Sequence, residues 1–202
     1  LQRHVLDRET MTEVKVTAVH RYIGLSTDTK VTTGVPAGSY WYETDSGAQY
    51  IYDGTAWQLD LMGGPYRASK TVTFTGAANL GQAGTNTTLF TVTGEVLIEK
   101  LVPFCTTNLG EAAPTAVLSL GVTGALTLFI ANTNSVDIDA NEFWTAAAPA
   151  AVGGIALPAA LKDIVITDNI LAAATVQNTN AGVIRWDCWW RPLSSNGKVV
   201  AA

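Results

Sequence analysis

Apolar and polar residues alternate with a period of two through most of the chain beyond residue 68, in short runs that end on turn residues. In "SKTVTFTG", Val72 and Phe74 point one way and Thr71, Thr73 and Thr75 the other; "TLFTVTG" repeats the scheme with Phe90 and Val92. A helix cannot use this pattern, because its side chains return to one face every 3.6 residues, whereas a strand's return every second residue. Further strands are expected at 95–104, 115–122, 125–131, 163–167, 170–176 and 182–193. The last, "GVIRWDCWWRPL", is the most informative. It puts Ile184, Trp186, Cys188 and Trp190 on one face, expected to be core, and Arg185, Asp187, Trp189 and Arg191 on the other. Many short strands separated by turn signals predict an all-β chain, an antiparallel β-sandwich or jelly roll over 67–202. Its expected core includes Val72, Phe74, Phe90, Val92, Leu118, Leu120, Leu128, Ile164, Ile166, Ile184 and Trp186.

The segment before that domain has a different texture. "SYWYET", "AQYIYD" and "AWQLD" read as three strands joined at Asp45-Ser-Gly and Asp53-Gly, whose glycines supply the positive φ of tight turns. Tyr40, Tyr42, Tyr50, Tyr52 and Trp57 are spaced for cross-strand aromatic pairs, each worth about 0.5–1 kcal/mol. A meander over 39–66 has no room for an aliphatic core and is expected to lean on a neighbour. "LMGGPYRAS" at 61–69 is read as the hinge to the sandwich. Residues 1–38 are read as an extended anchoring arm: Val14, Val16 and Ala18 can share a face, and 26–38 carries the Ser, Thr, Gly and Pro of a linker.

Composition narrows the function. Only 14% of residues are charged, the net charge is -5, and no basic cluster occurs, which argues against nucleic acid and anionic membranes as partners. The longest apolar run, 146–161, is mostly Ala, broken by Pro149, Gly153, Gly154 and Pro158, and reads as a long loop rather than a membrane span. The opening "LQRHVLDRETMTEVKV" lacks the apolar centre of a secretory leader, and Met11 is a further candidate start. Cys105 and Cys188 are expected to be buried free thiols, and the glycosylation sequon at Asn86 is discounted with secretion.

Catalytic patterns are sparse. His4 and His20, the only histidines, lie in the polar leader with no nucleophile beside them; no nucleophile elbow or phosphate loop occurs. Asp137, Asp139 and Asn141 have the alternate spacing of a calcium loop, but Glu142 replaces its turn glycine and Ala148 its distal glutamate, so a polar turn is the expectation. No cofactor or metal is expected. Exposed Trp41, Trp57 or Trp189 could stack on sugar rings; filling a core or a subunit interface is the reading preferred for them.

The stretch "STDTKVTTGVPAGSYWYETDSGAQYIYDGTAWQL" resembles a module widespread in virion proteins of tailed bacteriophages. The matching residues are Tyr42, Glu43, Thr44, Asp45, Gly47, Tyr50, Tyr52, Asp53, Gly54 and Trp57. "TGEVLIEKLVPFCTT", "SLGVTGALTLFIANT" and the closing "WWRPLSSNGKVVAA" also look like the β-domain of such proteins. The resemblance implies a non-enzymatic structural protein of the virion, assembled in the host bacterial cytoplasm. A capsid decoration, minor head or head-fibre role is the first expectation, with the arm gripping the major capsid protein or another virion protein. Self-association is expected, a trimer being the natural guess because capsid lattices offer threefold sites. Val14, Val16, His20, Tyr22, Trp41, Tyr50, Tyr52, Trp57 and Trp189 are the interface candidates. A tail fibre or tail adaptor binding a host-surface glycan is the second reading. A glycan depolymerase is the third and weakest, since paired carboxylates in a pocket are not visible.

Overall fold

The computed structural model describes residues 18–60, 64–111, 115–149 and 154–202. Their chain forms β1 (Arg21–Gly24), β2 (Tyr40–Glu43), β3 (Gln49–Tyr52), β4 (Trp57–Leu59), β5 (Tyr66–Thr73), β6 (Asn86–Thr93), β7 (Val96–Glu111) and β8 (Val117–Val122). There follow β9 (Ala125–Asn134), β10 (Ile164–Ile166), β11 (Ile170–Thr175), β12 (Thr179–Pro192) and β13 (Lys198–Ala201). Two single turns of 3-10 helix, Ser135–Asp137 and Ala159–Leu161, are the helical pieces among the described residues. None of the helices there is long and apolar enough to cross a membrane. The protein is all-β, as the alternation predicts.

Two antiparallel sheets form a sandwich. One has the order β10-β7-β12-β5, the other β13-β6-β11-β8-β9. The pairing is nested: β8 pairs β9, β7 pairs β10, β6 pairs β11 and β5 pairs β12, as in one long hairpin. Pairing of β12 with β7 and of β11 with β8 then joins those ribbons side by side within each sheet. One strand was not foreseen: β13 adds to β6 after the turn at "SSNG".

The core lies between the sheets. Ile184, Trp186, Cys188 and Trp190 of β12 are all fully buried, with Phe74, Phe90, Leu118 and Leu120 among the side chains that meet them there. Each such side chain contributes about 1.5–3 kcal/mol through burial. Val72, Val92 and Ile166 are buried as expected, and Ile164 is half-buried at its edge, packed against the same core.

Leu128 is a correction: it is 37% exposed. Between Val122↔Ala125 and Leu120↔Ile130 the register moves two steps along β8 and five along β9, so 126–128 bulge out of the ladder. Gly121 underlies that bulge, and a Cβ there would stand 2.1 Å from the Ala125 carbonyl oxygen. Asp187 also departs from simple alternation. It faces outward, yet it is buried beneath Arg67, Arg185 and Ser69, which all bond its carboxylate at 2.6–2.9 Å. Burial raises its pKa, and the Ser69 and Arg67 hydrogen bonds with both guanidinium charges outweigh that, holding it below the ordinary aspartate value.

The small sheet, β1-β2-β3-β4, has one strand more than the expected meander. β1 comes from the segment read as an arm and pairs in parallel with β2, Arg21 opposite Tyr40 and Ile23 opposite Tyr42. From residue 18 to 38, then, the chain belongs with this sheet rather than extending away from it. Val14 and Val16 lie outside the described residues.

Candidate functional site

Alternation gives the small sheet two unlike faces. In β2, Trp41 and Glu43 are buried while Tyr40 and Tyr42 are each 41% exposed. On the inner face, Tyr22 stacks on Trp41 with ring centres 5.8 Å apart, and Trp57 meets Tyr22, Trp41 and Tyr52 at 5.2–6.0 Å. Wide rings thus take the place of an aliphatic core. Residues 26–38 cover this cluster: Trp57 Nε1 donates to the Val31 carbonyl, Tyr52 Oη donates to the Thr32 carbonyl, and Lys30 Nζ lies 4.3 Å from the centre of the Tyr50 ring.

Glu43 is the electrostatic centre of this face. Its side chain has no exposure. Lys30 Nζ donates to Oε1 at 2.7 Å, and Lys198 Nζ, from β13 of the sandwich, lies 2.7 Å from Oε2, which also accepts from Ser46 Oγ at 2.5 Å. Burial pushes the carboxyl pKa up; the hydrogen bonds from Lys198, Lys30 and Ser46 together outweigh it and hold the group below the ordinary glutamate value. One carboxylate therefore ties together the covering loop, the small sheet and the sandwich. Next to it Ala48 is fully buried in the same cluster as Tyr66 and Trp190, with Tyr50 and Leu59 packed alongside. Gly47 has φ 71°, and a Cβ there would stand 2.9 Å from the Arg67 carbonyl oxygen, so the close approach of the turn to β5 requires glycine.

The two aspartates of the motif also act locally. Asp45 accepts from the Ser26 amide and hydroxyl at 2.8 and 2.6 Å, and Asp53 accepts from the amides of Thr55 and Ala56 at 2.7 Å. The outer face is different. Arg21, Tyr40, Tyr42 and Gln49, with Tyr22 and Trp41 beneath, line a cleft of about 300 Å³.

Of the interface candidates, His20, Tyr22, Trp41, Tyr50, Tyr52 and Trp57 gather in the small sheet and the residues leading into it. His20 is exposed, its amide donating to Ser39 Oγ at 3.0 Å and its Nδ1 lying 2.9 Å from Tyr22 Oη. Trp41 and Tyr52 are buried, while Tyr22, Tyr50 and Trp57 are half-buried. Trp189 lies apart, on the outer face of the sandwich, with Lys100 Nζ 4.6 Å and the Arg67 guanidinium 5.5 Å from its ring centre. Sequence reasoning missed Glu43 and its lysines. The parity of "YWYE", which places Glu43 beside Trp41 on the apolar face, was the available signal.

Asp137, Asp139 and Asn141 occupy a turn, Asp137 and Asp139 exposed and Asn141 at φ 68°. The Asp139 amide donates to Glu142 Oε2 at 3.1 Å. Among the described residues no three His, Cys, Asp or Glu side chains converge as metal ligands. Cys105 and Cys188 are free and buried, and burial raises both thiol pKa values, that of Cys105 to about 11. Comparison with known protein families, characterised proteins and solved structures gives no match.

Proposed function

We propose that this chain is a non-catalytic structural protein of a tailed-phage virion, of the capsid-decoration or minor head type, working as a homo-oligomer on a capsid surface. The observation that carries the reading is what the phage-like motif does. Glu43 anchors the small sheet to β13, Asp45 and Asp53 brace its turns, Gly47 admits β5, and Tyr50, Tyr52 and Trp57 pack it. These residues build a docked module, and none is set aside for chemistry. β1 lies at the edge of that module, where another virion protein can be gripped.

The sandwich supports the reading too. Nested pairing of eight strands, β5 to β12, folded over into two four-stranded layers, supports reading the sandwich as a jelly roll, an architecture common in capsid proteins. The protein is assembled in the host cytoplasm and resides on the particle. The test is mass spectrometry and electron cryo-microscopy of gradient-purified particles. The expected result is density for the sandwich at regular sites on the head, in three copies around threefold positions. Its presence in infected cells but absence from purified particles would overturn the reading.

A further inference from the structure

We propose that the outer face of the small sheet binds a carboxylate-bearing saccharide in the slot between Tyr40 and Tyr42. The two residues lie two apart on β2, which sets their side chains about 6.6–6.8 Å apart along the strand. Arg21 stands opposite Tyr40 across β1, and Gln49 stands opposite Tyr42 across β3. The slot is thus walled by two tyrosines and closed at its sides by a guanidinium and an amide. Its volume, about 300 Å³, is at the lower end for small-molecule sites.

The polar groups of this slot are unengaged. Among the described residues, no hydrogen bond or ion pair is made by the side chains of Arg21, Tyr40, Tyr42 or Gln49. Arg21 is singular in this. The other described arginines each hold a carboxylate: Arg67 and Arg185 hold Asp187, and Arg191 holds Glu99. A planar guanidinium left free beside aromatic rings matches a ligand carboxylate, which it can bind through two parallel hydrogen bonds. A tyrosine face carries the negative side of the ring quadrupole and attracts the C–H face of a pyranose. The tyrosine hydroxyls and the Gln49 amide offer both donors and acceptors to sugar hydroxyls.

The tryptophans do not offer this surface. Trp41 is 6% exposed, Trp57 is tied to Val31 through its indole N–H, and cations already lie over Trp189. The site stands apart from the virion assignment, because it rests on the slot alone.

The test uses the whole chain in saturation-transfer NMR and calorimetry, with sialyllactose and trigalacturonate as carboxylated probes and lactose and maltotriose as neutral ones. At least one carboxylated probe is expected to bind, with both neutral probes roughly tenfold or more weaker, the worth of a charge-assisted pair. Arg21→Gln should remove that preference. Tyr40→Ala and Tyr42→Ala should each weaken binding about threefold to tenfold, with the Phe variants, which keep the ring and lose only the hydroxyl, falling between Ala and wild type. The wild-type preference keeps the test decisive even if a tyrosine variant is misfolded. Equal affinity for acidic and neutral probes would overturn the proposal, as would a preference for acidic probes that survives Arg21→Gln. So would absence of transfer to either carboxylated probe, the result expected of a slot that serves a partner protein instead.

Discussion

Replacing Glu43 by Ala removes the acceptor shared by Lys30, Lys198 and Ser46. Two ammonium groups are then left without their anion, each on a side chain only 17% exposed. Breaking a buried pair by deleting one partner destabilises by about 3–5 kcal/mol. Both lysines reach water in part, so about 3 kcal/mol is expected. Urea unfolding followed by tryptophan fluorescence measures it directly. If the small sheet and the sandwich unfold together, the midpoint falls with no change in slope; if the sheet separates first, an early phase appears in the variant. Lys198→Met completes a double-mutant cycle, with a coupling of about 1 kcal/mol or more expected. The pH dependence gives an independent check. Because the folded pKa lies below the unfolded value of about 4.3, Glu43 contributes its full stability above that pH and loses it as pH falls through the depressed folded value. Asp187, also depressed, contributes in the same acid window, so the variant should flatten the acid limb in part rather than abolish it. A loss below about 1 kcal/mol, the range of an exposed pair, with an unchanged acid limb would refute the anchoring role assigned to Glu43.

Gly47→Ala should destabilise by about 1–3 kcal/mol, since the new Cβ meets the Arg67 carbonyl at a positive φ; thermal unfolding against wild type checks it. Cys105 and Cys188 should resist alkylation in the native protein and both react after denaturation without reductant; a disulfide-linked peptide pair in the mass spectrum would show otherwise. Deleting residues 1–17 should leave the near-ultraviolet spectrum of the aromatic cluster intact. Deleting 1–38 should collapse that spectrum, because it removes β1, Tyr22, Lys30 and the cover over Trp57. If the longer deletion left it unchanged, the packing described for that segment would be wrong.

Most of the sandwich was legible because alternation is a local signal: each strand states its own faces, as β12 does with Ile184, Trp186, Cys188 and Trp190. Leu128 was misread because a bulge resets parity, and nothing within "ALTLFIA" marks where three extra residues leave the ladder. β13 was overlooked because four residues give too little pattern to distinguish a strand from a tail. The stretch of the arm from residue 18 onward was misread for a related reason. "RYIG" is stabilised by parallel pairing with β2 and by Tyr22 on Trp41, contacts that a segment-by-segment reading does not contain. The aromatic density of 40–57 correctly marked a packed module. It also drew attention to the tryptophans, the residues that module buries or ties down, and away from Tyr40 and Tyr42, which it leaves outside. Glu43 could be placed on the inner face by parity, but its partner Lys198 lies at the far end of the sequence.

The nested pairing of the sandwich also sets an order of events. β8 and β9 are joined by a two-residue turn and can meet early, whereas β5 must wait for β12, more than a hundred residues later. Loop-closure entropy makes such distant pairings late and slow, so assembly should run from the innermost ribbon outward. The small sheet emerges from the ribosome before the sandwich, yet its central carboxylate finds Lys198 only when β13, synthesised after the other described strands, has joined β6. Until then Glu43 faces a half-formed site and the module that carries the outward-facing tyrosines has no fixed seat. Engagement at that module is thereby coupled to the completion of the sandwich, and an unfinished molecule presents a loosely held surface to its neighbours.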